Sequence, residues 1–292
     1  MTTGVLVMAY GTPATLDDVE AYYTHIRGGR TPSPQLVADL RRRYKAIGGT
    51  SPLLEVTRAQ ARGVGAALGA TFRVELGMRH APPFIEDAVA TLAQAGVEDI
   101  VAVVLAPHYS AMSVGEYLRR ARAGAAEQDL GFTGVESWHL EPGYIELLGD
   151  NLKAAASATH VLFTAHSLPA RIVDEGDPYP DQLRESAEAV AKLAGVADDE
   201  WSLAWQSAGR TTEPWLGPSI GEMLPDLAAQ GVESVVVCPH GFVADHLEVL
   251  YDIDIDAKAA ADRVGMALTR TPMPNDDSRL CEALAEVIRG HA

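Results

Sequence analysis

Two ten-residue stretches decide how this chain is read: Gly4–Pro13, GVLVMAYGTP, and His160–Pro169, HVLFTAHSLP. They align without a gap and place Tyr10 opposite His166. Each passes from a short apolar run into a turn closed by proline. An apolar run of this length bounded by turn residues is consistent with a strand buried on both faces. Working outward, a second pair repeats the relationship. Residues 104–118 read VLAPHYSAMSVGEYL and residues 236–250 read VVCPHGFVADHLEVL. Anchored on Pro107 and Pro239, they place His108 opposite His240 and Glu116 opposite Glu248. Internal similarity of this kind implies two similar folded halves.

Six apolar runs read as parallel strands: Val5–Ala9, Val74–Met78, Ile100–Ala106, Val161–Ala165, Ser202–Trp205 and Val235–Cys238. Helical patterns over Leu53–Leu68, Pro83–Ala95 and Asp181–Leu193 lie between them. Alternation of strands with helices predicts an α/β fold with parallel sheets. The expectation is two similar α/β halves, residues 1–143 and 144–272, with a boundary near Pro142–Tyr144 and a cleft between them. In parallel α/β sheets, ligands sit beyond the carboxyl ends of the strands. Tyr10, His80, His108, His166, Ser207 and His240 each follow a predicted strand, so all six are expected to line that cleft.

Composition narrows the function. The 292 residues carry 23 basic and 40 acidic side chains, a net charge of −17. Such a surface repels nucleic acid and anionic membranes, although a local cluster such as Arg41–Arg43 can still receive an anionic ligand. No apolar run approaches the roughly 18 residues of a membrane span. The first residues enter an apolar strand without a basic leader, which points to the cytoplasm. Cys238 and Cys281 are too few for a four-cysteine iron–sulfur site or a disulfide framework. The run Gly63–Gly69 imitates a dinucleotide fingerprint but sits inside a helical pattern rather than after a strand, so its context is wrong.

Three groups of residues carry possible chemistry. His166 ends a strand and is a natural general base near neutral pH, or a structural histidine; Ser167 beside it lacks a nucleophile elbow. The segment Asp245–Asp256, DHLEVLYDIDID, has His246 two residues from Glu248, and Glu248, Asp252 and Asp256 four apart. On a helix that spacing aligns three carboxylates on one broad face, either as a row for a divalent cation or as an acidic solvated surface. The third group is Tyr22–Ser51, where Arg27, Arg30, Arg43 and Ser51 suit carboxylate recognition or ordinary surface pairing.

The chain resembles the ferrochelatases over nearly its whole length. The resemblance rests on VMAYGTP, YYTHIRGGR, YKAIGGTSPL, LAPHYS, FTAHSLP, WQSAGR, PWLGP and PHGFVADHLEVLYDID, in that order. It is greatest to the coproporphyrin-type enzymes of Gram-positive bacteria. The resemblance implies Fe²⁺ and a porphyrin, coproporphyrin III, as substrates. It implies His166 as the cleft histidine and Glu248 as its partner carboxylate, accepting the pyrrole protons and meeting the metal. Tyr10 would face the metal from the other side. Arg27, Arg43, Ser51 and Tyr117 would hold propionates, and Asp252 and Asp256 would carry metal inward. The resemblance also implies that the two halves are Rossmann-like domains related by a pseudo-two-fold axis, with a helix in residues 273–292 returning to the first. A cytoplasmic monomer without prosthetic group, iron–sulfur cluster, nucleic-acid partner or stable membrane attachment completes the expectation. The rival readings are a protoporphyrin IX ferrochelatase, a sirohydrochlorin-type chelatase and a non-catalytic two-lobed binding protein.

Overall fold

The computed structural model describes residues 2–155 and 158–292. The first half runs β1 (Thr3–Ala9), α1 (Val19–Ile26), α2 (Pro34–Ala46), α3 (Leu53–Leu68), β2 (Phe72–Met78), α4 (Ile85–Gln94), β3 (Asp99–Val104), α5 (Val114–Glu127) and β4 (Gly131–Gly134), and α6 (Pro142–Ala155) leads into the second. The second half runs β5 (His160–His166), α7 (Arg171–Asp174), α8 (Tyr179–Ala194), β6 (Trp201–Gln206), α9 (Ile220–Ala229), β7 (Ser234–Cys238), α10 (Leu247–Leu250), a π-helical turn (Asp252–Ala257), α11 (Lys258–Arg263), β8 (Ala267–Arg270) and α12 (Ser278–Arg289). Helix α6 packs on α8, α12 and β7.

Each half builds a four-stranded parallel sheet, in the order β2-β1-β3-β4 and β6-β5-β7-β8. The two orders are the same order, and the sequence repeat is its cause: β1 and β5 hold the second position in their sheets. Val5, Leu6, Val7 and Met8 are fully buried. Such a run stays apolar on both alternating faces because helices cover both sides of the sheet. Burying side chains of this size stabilises the fold by about 1.5–3 kcal/mol each before entropy is counted.

The two sheets share a core. Val5 and Val7 of β1, Phe163 of β5 and Val236 of β7 belong to one continuous cluster with residues of α3, α6, α8 and α12. Helix α12 packs on α3 and α6. Cys281 on α12 lies over Gly63 of α3, where a β-carbon would come within 2.5 Å of its Sγ. The Gly63–Gly69 run is thus helix-packing sequence. Both cysteines are buried and unlinked.

Ends of helices follow local chemistry. Ser33 accepts from Leu36 N–H ahead of Pro34 at the start of α2. Ser219 and Glu222 form a reciprocal capping box on α9, which satisfies otherwise orphaned amides. Among the described residues no helix is long and apolar enough to cross a membrane.

Candidate active site

Strand ends, one close backbone approach and one acidic segment place the site. Tyr10 follows β1. The next residue, Gly11, has φ +96°, and a β-carbon there would lie 2.9 Å from the Ala81 nitrogen. A residue without Cβ lets the end of β1 lie against the loop after β2. Arg79 and His80 then donate their amides to the carbonyls of Ala9 and Tyr10, each at 2.9 Å. This juxtaposition brings the Tyr10 and His80 rings to 4.6 Å. His80 in turn meets His25 of α1, Nδ1 to Nδ1, at 3.0 Å. Burial, with Arg79, His25 and Arg120 nearby, drives the His80 pKa down to about 3, so the ring is neutral. Tyr10 keeps 40% of its surface open to the cleft. Recession into the cleft and the charge of Glu248 raise its pKa, so it stays a phenol.

The opposing wall comes from the second half. His166 ends β5; its Nδ1 donates to the carbonyl of Ser167, leaving Nε2 free. That atom lies 3.6 Å from Oε1 of Glu248. On the other side, His246 donates from Nδ1 to the Ala244 carbonyl at 2.9 Å. Its Nε2 faces Oε2 of Glu248 at 3.7 Å. Gln206, at the end of β6, holds the Glu248 carbonyl at 2.8 Å. Glu248 therefore stands between two imidazoles. Burial works against its charge, but His166, His246 and Arg43 outweigh it and hold the carboxyl down to about 2. Burial also disfavours a charged His246, yet Glu248 raises its pKa overall. The Glu248 charge is felt by Tyr10 and Tyr117 of the first half and by Tyr179 of the second, which locates it between the halves.

The segment bearing Glu248 docks on the first half. Leu247 and Tyr251 pack with Val19, Val37 and Tyr44 of α1 and α2. Four-residue spacing would align the three carboxylates on a regular helix. The segment instead forms one short α-turn followed by a π-helical turn, in which Asp256 N–H reaches the Tyr251 carbonyl at 2.9 Å. The wider turn, a form frequent at functional sites, changes the surroundings of the three carboxylates. Glu248 faces the imidazoles. Asp252 is bound by Arg43 and by the Ser207 hydroxyl. Asp256 is exposed and bonds no side chain among the described residues.

Two of the six strand-end residues do not line the cleft. His108 is 2% exposed and His240 is wholly buried. The chain after Pro107 and Pro239 turns both rings onto α8: His108 Nε2 pairs with Ser186 Oγ at 2.7 Å, and His240 Nε2 with the Leu183 carbonyl at 3.0 Å. Their centroids are 5.4 Å apart. These repeat-related histidines pin the two sheets to one shared helix.

The carboxylate-recognition residues are also placed. Arg27 follows α1 and lies over the Tyr23 ring at 5.9 Å. Its Nε is buried without a partner, and no carboxylate pairs with it among the described residues. Arg43 stacks on Tyr251 at 4.7 Å beside Asp252. Ser51 accepts from the Leu53 amide at 3.2 Å. Tyr117 is only 4% exposed, with Arg79 over its ring at 5.3 Å. Arg79, rather than Tyr117, lines a chamber of about 970 Å³ with Thr24, His25, His80, Glu116 and Arg120. His166 and Glu248 lie outside this chamber. It opens beside the cleft on the first half. Sequence reasoning left out Arg79 and did not assign His246 a role, although the His-x-Glu spacing already paired the latter with Glu248. Ser167 is buried, and its hydroxyl donates to the Leu216 carbonyl at 2.8 Å, a structural bond that removes it as a nucleophile.

Two parallel-sheet lobes of the same strand order thus meet at an imidazole-flanked carboxylate, with a phenol and a neutral imidazole on the facing lobe. The sirohydrochlorin chelatase SirB from Bacillus subtilis subspecies spizizenii, solved with cobalt, has this fold: TM-score 0.62 at 13% identity, covering 100% of this chain and 96% of that one. The ferrochelatase family model matches residues 2–292. The coproporphyrin III ferrochelatase of Anoxybacillus flavithermus is 46% identical, covering 99% of this chain and 96% of the relative. That of Bacillus subtilis is 45% identical, covering 98% and 96%. The chain belongs to the ferrochelatase family.

Proposed function

We propose that this chain inserts Fe(II) into coproporphyrin III. Metallation exchanges two pyrrole N–H protons for one Fe²⁺, so the site needs a proton acceptor and a place for the cation. The observation that carries the reading is Glu248, kept ionised in the cleft between His166 and His246. An N···O separation of 3.6 Å is too long for a hydrogen bond. It accommodates a cation bonded to both atoms at about 2.0–2.2 Å each.

In this reading His166 and Glu248 accept the pyrrole protons, a contribution of about 10²–10⁴-fold for groups so placed. Tyr10, held as a phenol, approaches the other face of the ring. A cleft walled by rigid strand ends favours the puckered ring of the transition state over the flat free base. Arg27, with its unpartnered donor, and Arg43, with Ser51, hold propionates and so fix ring register. Tyr117 supports Arg79 from behind. Asp252 and Asp256 form the outer part of the metal route. The coproporphyrin substrate follows the named relatives, and the unpaired Arg27 supports a carboxylate-rich porphyrin. A cytoplasmic monomer without an iron–sulfur cluster belongs to the same proposal. Anaerobic Fe(II) insertion with coproporphyrin III and protoporphyrin IX side by side tests it.

A further inference from the structure

The stretch Asp245–Asp256 holds five carboxylates in twelve residues. Like charges so close repel, and one of them, Glu248, faces the cleft with no ion-pair partner other than imidazole among the described residues. Packing of Leu247 and Tyr251 on the first half, Gln206 on the Glu248 carbonyl and Arg43 on Asp252 hold the cleft side of the segment; a further tether holds it from outside the cleft. Arg270, the last residue of β8, donates from Nε and Nη2 to the two oxygens of Asp254 at 2.8 and 3.0 Å. The same Nη2 lies 3.2 Å from Oδ1 of Asp245, an ion pair without hydrogen-bond geometry. Nη1 donates to the Thr271 carbonyl at 3.2 Å, and the side chain is 15% exposed.

Asp245 is held from a second direction. Asn275 and Asp245 bond reciprocally, side chain to side chain and amide to side chain, both at 2.8 Å. Buried Gln60 of α3 donates to the carbonyls of Asn275 and Val243 at 2.8 and 3.1 Å. One guanidinium therefore ties down a carboxylate before Glu248 and another after it, and the first of these is anchored to the opposite half of the molecule.

We propose that Arg270 is a positioning residue for metal insertion: it clamps both ends of the segment carrying Glu248 and offsets its self-repulsion without entering the cleft. The fork geometry is essential to this role, since a lysine ammonium can hold only one of the two carboxylates in this way. The inference deepens the reading of Glu248 given above and rests on it.

The test is steady-state Fe(II) insertion into coproporphyrin III by the full chain. Arg270→Met is expected to lower kcat about 10–100-fold, the loss expected of a misplaced reacting group, with porphyrin KM nearly unchanged. Arg270→Lys should fall between this variant and wild type. The double variant Arg270→Met/Asp254→Asn removes one of the two stranded charges and should regain part of the lost thermal stability without regaining kcat. Full kcat in Arg270→Met, or kcat recovering in step with Tm in the double variant, overturns the proposal. Glu248→Gln, measured in parallel, separates the two readings. If it is inactive while Arg270→Met is fully active, the clamp fails and the reading of Glu248 stands. If it is fully active while Arg270→Met is impaired, the proton-acceptor role of Glu248 fails and the clamp, which acts through Glu248, falls with it.

Discussion

The Nε2 atom of His166 and the Oε1 atom of Glu248 lie 3.6 Å apart, one at the end of β5 and the other on the short helix α10. The Nδ1 bond of His166 to the Ser167 carbonyl leaves Nε2 as the nitrogen that faces the carboxylate. His166→Ala should reduce metal insertion by about 10²–10⁴-fold, as for loss of a general base. Porphyrin binding, followed by fluorescence quenching, should stay within a few-fold of wild type. Near-normal turnover in this variant removes His166 from the proton path.

Arg27 and Arg43 should affect binding more than chemistry. Arg27→Met and Arg43→Ala are each expected to raise the porphyrin KM by more than they lower kcat, because orientation through remote carboxylates is binding energy. Equal losses in kcat and kcat/KM would instead place these arginines in the transition state. Arg43→Ala also strips Asp252 of its cation, so the larger kcat effect of the two is expected there.

Asp256 is the exposed outer member of the acidic row. Asp256→Ala should raise the apparent KM for Fe(II) several-fold and leave the porphyrin KM and kcat alone, by loss of one attracting charge. An unchanged metal KM would make Asp256 ordinary solvated surface.

The buried histidines His108 and His240 make stability depend on pH. Burial lowers both pKa values, that of His240 to about 4, against about 6.5 in the unfolded chain. The unfolded state therefore binds more protons below about pH 6.5. The stability contribution is complete above that pH and is lost as pH falls toward 4, amounting for His240 to on the order of 3 kcal/mol. Urea midpoints measured from about pH 7.5 to about 4.5 should fall. His240→Gln, whose amide can still donate to Leu183, should flatten the fall. An equally steep fall in the variant assigns the acid sensitivity to other groups.

The fold was legible where sequence and burial have the same period. Val5–Met8 and Val161–Ala165 are buried on both faces of their sheets, and a short uninterrupted apolar run between turn residues is what such burial requires. The strands GFTG of β4 and ALTR of β8 are not legible in this way, because edge position leaves them half exposed and only four residues long. His166, Glu248 and Tyr10 were legible as strand-end or helix positions in repeated frames. His108 and His240 occupy the same kind of position, but their destination is decided by Ser186 and Leu183, far away in sequence. A linear pattern cannot say whether a side chain leaving a strand turns to the cleft or to a neighbouring helix. Nor does four-residue spacing distinguish an α-turn from the π-turn at Asp252–Ala257, which is fixed by packing of Tyr251 on α1 and α2 and by the ion pairs of Asp252 and Asp254.

The proposed reaction is Fe(II) insertion into a carboxylate-rich porphyrin. Its most direct test is anaerobic Fe(II) insertion into coproporphyrin III and protoporphyrin IX, each alone and in competition, followed by the Soret shift. Coproporphyrin III should be metallated with the clearly higher kcat/KM, and Arg27→Met should narrow that preference. Equal or greater efficiency with protoporphyrin IX would contradict the assigned substrate and the role of Arg27.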